Sequence, residues 1–311
     1  MTVKGAKILV VGHGDILECA VTAHFREEGA AEVYSVSELA LDCAVQPAVH
    51  DFFQKHRPDY VVLGSTRSGG IQANLDHPAD FSYHNVQSAA NVFHAAYKFQ
   101  AKKVLYWASS CIYPREAPQP YQPDQILTGP LELSSEPYAI AKLAGVAMAR
   151  GYRRQYGLST VVAIPATVYG PGSDGDLQNA HVIGALIHKF QEAVRDGAGA
   201  VEVWGSGNPL REFLYRDDLC SGCQLLLEGY EGEDLVNVGS GEEVSIADLA
   251  RMIAAATDFR GQINFDVARS DGAARKVLDS QPIRSLGWQP ATSLEEGILR
   301  TVNWFQQGEK V

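Results

Sequence analysis

The sequence has no apolar run that approaches the roughly 18 residues needed to cross a membrane as a helix, which argues against a membrane protein. Basic residues are also scarce, because 26 Lys and Arg stand against 37 Asp and Glu, for a net charge of −11. A nucleic-acid-binding surface needs a basic face, so this balance argues against one. It does not argue against a phosphate ligand, since a helix N-terminus or a local pair of basic side chains can hold one.

Cysteines are few, and their number and spacing are not those of a disulfide framework. There are 5, scattered along the chain, which favours reduced thiols in the cytoplasm. Cys220 and Cys223 form a CxxC pair, but the second pair that a zinc site of this type needs is missing from the sequence. We therefore expect no metal site, and we expect these two cysteines to be small packing residues on a helix.

The sequence does contain an alternation of short apolar runs and segments with helical spacing. The apolar runs predict strands at residues 7–11, 60–63, 104–108 and 159–165. The segments between and after them predict helices at residues 16–28, 48–56, 81–99 and 138–156. This alternation predicts an α/β fold with a doubly wound parallel sheet. We expect a dinucleotide-binding domain over residues 1–170 and a smaller C-terminal substrate lobe over residues 171–311, with some elements interleaved back into the first domain.

A glycine turn follows the first predicted strand, with the residues Gly12-His13-Gly14-Asp15-Ile16-Leu17-Glu18. In a Rossmann-like fold such a turn lets backbone N–H groups approach a pyrophosphate. The pattern is incomplete here, because Asp15 and Glu18 stand where GxxGxxG has its second and third glycines. Their carboxylates would repel a phosphate and could cap the helix themselves. The turn is therefore either a dinucleotide site or a strand–helix connection with weak or no nucleotide binding.

Tyr138 and Lys142 form a YxxxK pattern, which places both side chains on one helix face. An ammonium group beside a tyrosine would lower the phenol pKa from about 10 and so provide a general acid/base for a carbonyl or an alcohol. The pattern alone is common on amphipathic helices. Ser109 makes it more specific, because it ends the preceding strand and can hydrogen-bond the same carbonyl oxygen. Cys111 and His181 are each, taken alone, more often structural residues.

In its order of segments the chain resembles the GDP-L-fucose synthase family, which has GDP-4-keto-6-deoxy-D-mannose 3,5-epimerase-4-reductase activity. The succession of SSCIYP (109–114) and EPYAIAK (136–142) is specific to this family and not only to the fold. Further shared segments are AVHDFF (48–53), GGIQAN (69–74), HPADF (77–81), RQYG (154–157), VYGP (168–171), AHVI (180–183), VWGSGNPLREFL (203–214), NVGSG (237–241) and DGAARKVLD (271–279). The resemblance implies the extended short-chain dehydrogenase form of the Rossmann-like fold.

The resemblance also implies residue roles. Tyr138 would protonate O4 as hydride reaches C4, with Lys142 lowering its pKa and Ser109 orienting the ketone. Cys111 and His181 would be the base and acid that invert C3 and C5, whose protons are acidified by the neighbouring ketone. The residues that it assigns to the GDP-sugar are Lys189, Trp204, Arg211 and Asp271.

For the cofactor the resemblance implies NADP(H), bound by a homodimer whose contact is formed by the helices at 81–99 and 138–156. The residues assigned to the dinucleotide are Gly12, His13, Gly14, Ile16, Leu17, Asp42, Ala108, Ser109, Lys142, Pro165, Val168 and His181. The family turn reads GHRGMVG, whereas this chain has GHGDILE. Gly14 thus replaces the arginine expected at the 2′-phosphate, so that NADP(H) binding could be weak and NAD(H) an alternative.

Further departures from the family pattern lie near the cofactor. They are Tyr34-Ser35-Val36-Ser37 in place of basic residues, Gly64-Ser65-Thr66-Arg67 in place of an alanine-rich stretch, and Thr167 in place of an asparagine. Three hypotheses follow from this pattern. The first is an NADP(H)-dependent epimerase/reductase acting on a GDP-4-keto-6-deoxyhexose. The second is a non-reducing GDP-sugar epimerase, and the third is a catalytically silent GDP-sugar-binding subunit.

Overall fold

A computed structural model gives the fold and describes residues 2–172, 182–233, 235–269 and 271–308. Its strands are β1 (Lys7–Val11), β2 (Glu32–Ser35), β3 (Tyr60–Leu63), β4 (Lys103–Trp107), β5 (Thr160–Pro165), β6 (Thr167–Tyr169), β7 (Ala200–Trp204), β8 (Leu210–Tyr215), β9 (Val236–Val238), β10 (Glu243–Ser245), β11 (Gln262–Asp266) and β12 (Arg275–Lys276). Its helices are α1 (Ile16–Glu27), α2 (Gln46–His56), α3 (Ile71–Asp76), α4 (Pro78–Lys98), α5 (Glu136–Tyr156), α6 (Val182–Arg195), α7 (Arg216–Gly229), α8 (Ile246–Ala256), α9 (Gln281–Ser285) and α10 (Leu294–Gln306).

The central sheet has the strand order β2-β1-β3-β4-β5-β9, and all of its neighbouring strands are parallel. Strands β1, β3 and β4 are buried along their whole length or nearly so, as strands covered by helices on both faces must be. Helix α4 packs against α2 and α5, while α1 packs against α7. The doubly wound parallel α/β sheet predicted from the sequence is confirmed.

The strand order reverses between β1 and β3, which creates the crevice where such sheets bind ligands. Val11, the last residue of β1, lies opposite Leu63, the last residue of β3. The N–H of Gly64 donates to the carbonyl of Val11 at 2.8 Å, an approach that leaves no room for a side chain at position 64. The segments after β1 and after β3 therefore start side by side.

The rest of the chain builds a second, smaller group of strands. Strand β8 pairs with β10 and β12 on its two sides and with β6, while β7 pairs with β11. A separate hydrophobic core underlies these strands and contains Phe190, Phe213, Leu249 and Val302. The first core also takes in residues from beyond position 170, such as Leu226 of α7. The domain boundary that we predict at residue 170 stays a prediction.

Helix α5 carries the YxxxK pattern and is held against β4 by a close contact. A Cβ atom at Gly145 would collide with the ring of Tyr106 on β4. The absence of a side chain there lets the ring lie against the helix, and the Tyr106 hydroxyl donates to the carbonyl of Lys142 at 3.3 Å. The helix ends at Gly157, which has the left-handed conformation (φ 68°) that favours glycine at a C-cap.

Cys220 and Cys223 are buried on α7 within the first hydrophobic core, which confirms their predicted packing role. Across the described ranges, no helix is both long and apolar enough to cross a membrane. Over the same ranges, no cluster of three or more His, Cys, Asp or Glu side chains is arranged to hold a metal ion.

Candidate active site

Ser109 and Cys111 lie just beyond the carboxyl end of β4, on a single turn of 3-10 helix (Ser110–Ile112). The Ser109 hydroxyl accepts a hydrogen bond from the N–H of Cys111 at 3.3 Å. This local bond fixes the serine and the cysteine next to each other, so that both side chains belong to one site.

Tyr138 reaches the same site from the first turn of α5, and its hydroxyl lies 2.8 Å from the hydroxyl of Ser65, which follows β3. Burial raises the pKa of Tyr138 well above its ordinary value; the hydrogen bond with Ser65 opposes this shift, whereas the charges of Cys111 and Asp15 add to it. The expectation that Lys142 lowers this pKa is therefore not met. A phenol with a raised pKa is protonated at neutral pH, and although it is a weaker acid than a free tyrosine it can still protonate a more basic alkoxide.

Lys142 is fully buried one helical turn further along, and its ammonium donates to the carbonyl of Trp107 at 2.8 Å. Burial lowers the pKa of Lys142 to about 7, against the opposing effect of the Asp15 carboxylate. The ammonium also lies 4.9 Å from the centre of the Tyr106 ring. The YxxxK pair is thus present on one helix face. Burial raises the pKa of Tyr138 and lowers the pKa of Lys142, so that it favours the neutral form of both side chains.

A residue that the sequence analysis does not assign completes this cluster. The Lys276 ammonium on β12 lies 3.7 Å from the sulfur of Cys111. Burial would raise the pKa of the Cys111 thiol, but the Lys276 charge and hydrogen bonds from Ser109, Ser135 and Lys276 outweigh it and lower the pKa below its ordinary value. Cys111 therefore has the environment of a thiolate base.

The residues predicted to bind the GDP-sugar lie in two groups. Lys276 on β12 is the register partner of Arg211 on β8. Arg211 in turn donates to the backbone carbonyl of Asp271 at 3.4 Å, and the Asp271 carboxylate accepts from the N–H and hydroxyl of Ser206, at 2.6 and 2.7 Å. The first group, Arg211 with Asp271, is thus joined through one strand pair to the lysine that contacts Cys111.

The second group surrounds Trp204, whose side chain is 60% exposed at the end of β7. The Lys189 ammonium and the Arg269 guanidinium each lie 4.8 Å from its ring centre. Because Ser206 follows Trp204 by two residues, both groups meet at the turn after β7. An exposed indole flanked by two cations suits a flat, anionic ligand such as a nucleotide.

The glycine turn after β1 is filled by Glu18, which is 2% exposed. One oxygen of its carboxylate accepts the N–H of Gly14 at 2.7 Å. The other accepts the Ser35 hydroxyl at 2.6 Å and the N–H of Ser37 at 2.9 Å. The Glu18 side chain thus spans from the turn to the end of β2, and its Cβ lies 2.6 Å from where a Cβ on Gly12 would be.

Asp15 is the N-cap of α1 and accepts the N–H of Glu18 at 3.0 Å, as the sequence analysis anticipates for these carboxylates. Burial raises its pKa, and the nearby charges of His13 and Lys142 oppose the increase. His13 lies 3.6 Å from the Asp15 carboxylate, and its other ring nitrogen bonds the Ser68 hydroxyl at 2.8 Å. The carboxylates of Glu18 and Asp15 therefore both accept backbone N–H groups, one in the glycine turn and one at the start of α1.

The remaining residues expected at the dinucleotide are more dispersed. Ile16 and Leu17 lie in the first turn of α1, whereas Ala108 and Pro165 mark the carboxyl ends of β4 and β5. Val168 pairs with Leu214 in the second group of strands. Asp42 is exposed in the loop between β2 and α2, where it accepts the N–H of Ala44 at 2.9 Å. His181 lies outside the described residues.

Comparison with known proteins decides the family. Residues 8–239 match the NAD dependent epimerase/dehydratase family. The chain is 42% identical over 305 residues to GDP-L-fucose synthase 1 of Arabidopsis thaliana, with 98% of this chain and 94% of that protein covered. It is 38% identical to the GDP-L-fucose synthase of Escherichia coli strain K12, with 97% of each covered. The chain belongs to the GDP-L-fucose synthase family.

Solved structures of related enzymes have the same fold as this chain. A GDP-L-fucose synthetase from Naegleria fowleri bound to NADP superposes with a TM-score of 0.91 at 26% identity, covering 99% of this chain and 95% of the other. A GDP-mannoheptose C4 reductase from Campylobacter jejuni with NADP bound gives 0.88 at 27% identity, with 98% and 99% covered. The extended short-chain dehydrogenase fold is thereby confirmed.

The glycine turn, as it stands, does not fit a dinucleotide diphosphate. A diphosphate needs free N–H groups at the start of α1, but those of Gly14 and Glu18 are already bonded to carboxylates. The Glu18 side chain fills the space beside Gly12 that a glycine at position 18 would leave open. By contrast, Ser109 and Ser65 both lie beside the Tyr138 hydroxyl, to which no carboxylate in the described ranges is hydrogen-bonded.

Proposed function

We propose that the chain has the two-part activity of a GDP-L-fucose synthase, with NADP(H) as the reductant. It inverts C3 and C5 of a GDP-4-keto-6-deoxyhexose and reduces its C4 ketone. Full-length identities of 38–42% to proteins of that name support this activity. The observation that carries it is the contact between Lys276 and Cys111, since an activated thiol beside Ser109 is what an α-proton transfer requires.

The epimerisation rests on proton transfer next to a ketone. The protons at C3 and C5 are acidified because the C4 oxygen can take up the negative charge of an enolate. The Cys111 thiolate removes such a proton, while the hydroxyls of Ser109 and Tyr138 hydrogen-bond the C4 oxygen. A proton returned from the opposite face completes the inversion, and His181 is our candidate for that acid.

In the reduction, the protein supplies the proton that O4 gains. Tyr138 is the donor, since its phenol is protonated at neutral pH and its hydroxyl lies in the site beside Ser65 and Ser109. The contacts of Cys111 and Tyr138 support the proton transfers. They do not define a path for the hydride, because the glycine turn, as it stands, does not fit the dinucleotide.

Recognition of the GDP group is assigned to the second lobe. We propose that the guanine stacks on the exposed face of Trp204, with Lys189 nearby, and that Arg211 pairs with the diphosphate. Burial lowers the pKa of Arg211, against the opposing charges of Tyr121 and Asp271. A buried guanidinium is a favourable partner for a phosphate because it is weakly hydrated.

We further propose that the chain works as a homodimer in the cytoplasm. Exposed aromatic side chains on α4 and α5, among them Tyr97 and Tyr156, stack on each other with ring centres 4.1 Å apart. Such a surface suits the four-helix contact that the family resemblance implies. None of the 5 cysteines, all of which lie in the described ranges, forms a disulfide, and a reducing compartment favours that state.

The test is incubation of the purified chain with GDP-4-keto-6-deoxymannose in deuterated water, with and without NADPH. We expect deuterium at C3 and C5 in both samples, and oxidation of NADPH in the second. The variant Cys111→Ser should lose most of the exchange. Absence of both exchange and oxidation in the wild type would contradict the proposed activity and leave a GDP-sugar-binding subunit.

A further inference from the structure

The Glu18 carboxylate takes the place of a bound anion at the cofactor crevice. It sits at the N-terminal end of α1, where the helix dipole and free N–H groups attract phosphate. Its hydrogen bonds come from the turn after β1 and from residues at or just after the end of β2, the strand beside β1. The side chain is therefore an internal ligand of the groups that would otherwise bind a nucleotide.

The donors held by Glu18 belong to two parts of a dinucleotide site. The Gly14 N–H belongs to the turn that faces a pyrophosphate. Ser35 ends β2 and Ser37 follows it, and the tip of this strand faces the adenosine ribose in Rossmann-like folds. Asp15 occupies the N–H at the start of α1 and carries a second carboxylate toward Lys142. Any dinucleotide must displace the one carboxylate and accept the proximity of the other.

We infer that Glu18 closes the dinucleotide site of this chain from within, so that NADP(H) binds only by displacing it, and that epimerisation proceeds while the site is closed. The second half of the inference, that epimerisation proceeds while the site is closed, rests on the proposed function. The two halves can be tested separately because Cys111, which contacts Lys276, follows β4, whereas Gly14, which contacts Glu18, follows β1. The chain thus uncouples proton exchange at C3 and C5 from occupancy of the cofactor site.

The closing experiment measures binding directly, by calorimetric titration of NADPH and of NADH into the wild type and into Glu18→Gly. A carboxylate about 5 Å from a phosphate weakens binding by roughly a hundredfold before screening. We expect NADPH affinity to rise at least about tenfold in Glu18→Gly, and further when Asp15→Gly is added. We also expect similar affinities for NADH and NADPH in the wild type, because the groups at the end of β2 are already bonded to Glu18.

Two further variants keep the test decisive. Glu18→Gln retains the volume and removes the charge, so it should also raise the affinity for NADPH, although less than glycine does. It provides the measurement if Glu18→Gly is poorly folded. Glu27→Gly makes the same substitution at an exposed position near the end of α1 and should leave affinity unchanged. Sub-micromolar NADPH binding by the wild type that neither Glu18 variant improves would overturn the inference. Absence of deuterium exchange in the wild type would instead overturn the proposed function, and with it the second half of the inference, while the NADPH titrations still decide the first half.

Discussion

The Lys276 ammonium lies 3.7 Å from the Cys111 sulfur, although 165 positions separate the two residues in the chain. The contact is made because β12 pairs in parallel with β8 and carries Lys276 to the turn that follows β4. It gives the cysteine a cationic neighbour, and with it a thiolate at a lower pH than an isolated thiol would have.

Substitution Lys276→Met should raise the pKa of Cys111, because the charge that opposes burial is lost. The alkylation rate of Cys111 by iodoacetamide, followed by mass spectrometry as a function of pH, should inflect at least about one pH unit higher than in the wild type. Deuterium exchange at neutral pH should fall about tenfold for each unit of that shift. Lys102→Met, at an exposed position, is the control. An unshifted inflection would remove Lys276 from the role of thiolate stabiliser.

Tyr138→Phe should reduce turnover of an already epimerised ketone by about a hundredfold or more, since the transferable proton is lost. GDP-sugar binding, measured by calorimetry, should change little because Trp204 and Arg211 are untouched. Tyr83→Phe removes a hydroxyl from an exposed residue of α4 and serves as the matched control. Wild-type turnover in Tyr138→Phe would contradict the assignment.

Ser65→Ala should raise the pKa of Tyr138 further, because the Ser65 hydroxyl opposes the effect of burial on that phenol. A neutral hydrogen bond contributes roughly 0.5–1.5 kcal/mol, so turnover should drop about 2- to 10-fold. Restoration of turnover by Ser65→Thr would show that the hydroxyl, and not the packing, is responsible.

Trp204→Ala should weaken GDP binding by roughly 5- to 100-fold, the range expected for loss of one base–aromatic stacking contact. Deuterium exchange at saturating substrate should be nearly unchanged, because the indole is assigned to nucleotide binding and not to the proton transfer. Calorimetry with GDP alone and exchange at saturation separate the two effects. Unchanged GDP affinity would place the guanine elsewhere.

Two glycines of α5 provide a paired test of how the helix is positioned. Gly145→Ala should destabilise the protein by about 1–3 kcal/mol, since its methyl group would collide with the Tyr106 ring. Gly151→Ala, with open space around it, should stabilise the helix by about 0.5–1 kcal/mol. Chemical denaturation measures both. Equal effects of the two substitutions would contradict the close contact between α5 and β4.

Local sequence was sufficient where the physical cause is local. The bounds of β1 and β3 agree with prediction because apolar residues fill β3 and all of β1 after Lys7, and a glycine follows each strand. The proximity of Ser109 to Cys111 also follows from one turn of chain, and the capping of α1 by Asp15 from residue type.

Long-range causes were not accessible in the same way. The sequence motif predicts a lowered pKa for Tyr138, but the burial of its phenol and the approach of Asp15 are tertiary effects that reverse the sign. The Ser65 hydroxyl was visible only as a departure from a family pattern, and its partner only in the fold. Lys276 lies within a shared segment, yet its contact depends on the register of β12 against β8.

The pairing of β5 with β9 has a consequence for biosynthesis. Strand β9 closes one edge of the central sheet, and helix α7 packs against β4 and β5. Both are synthesised after residue 215. Until they emerge from the ribosome, β5 is an open edge, and the apolar face that later covers Leu226 is exposed to water. The nascent chain therefore holds the segment that carries Ser109 and Tyr138 in an aggregation-prone state until Val238 has been translated, and its yield in cells should depend on chaperones during that interval.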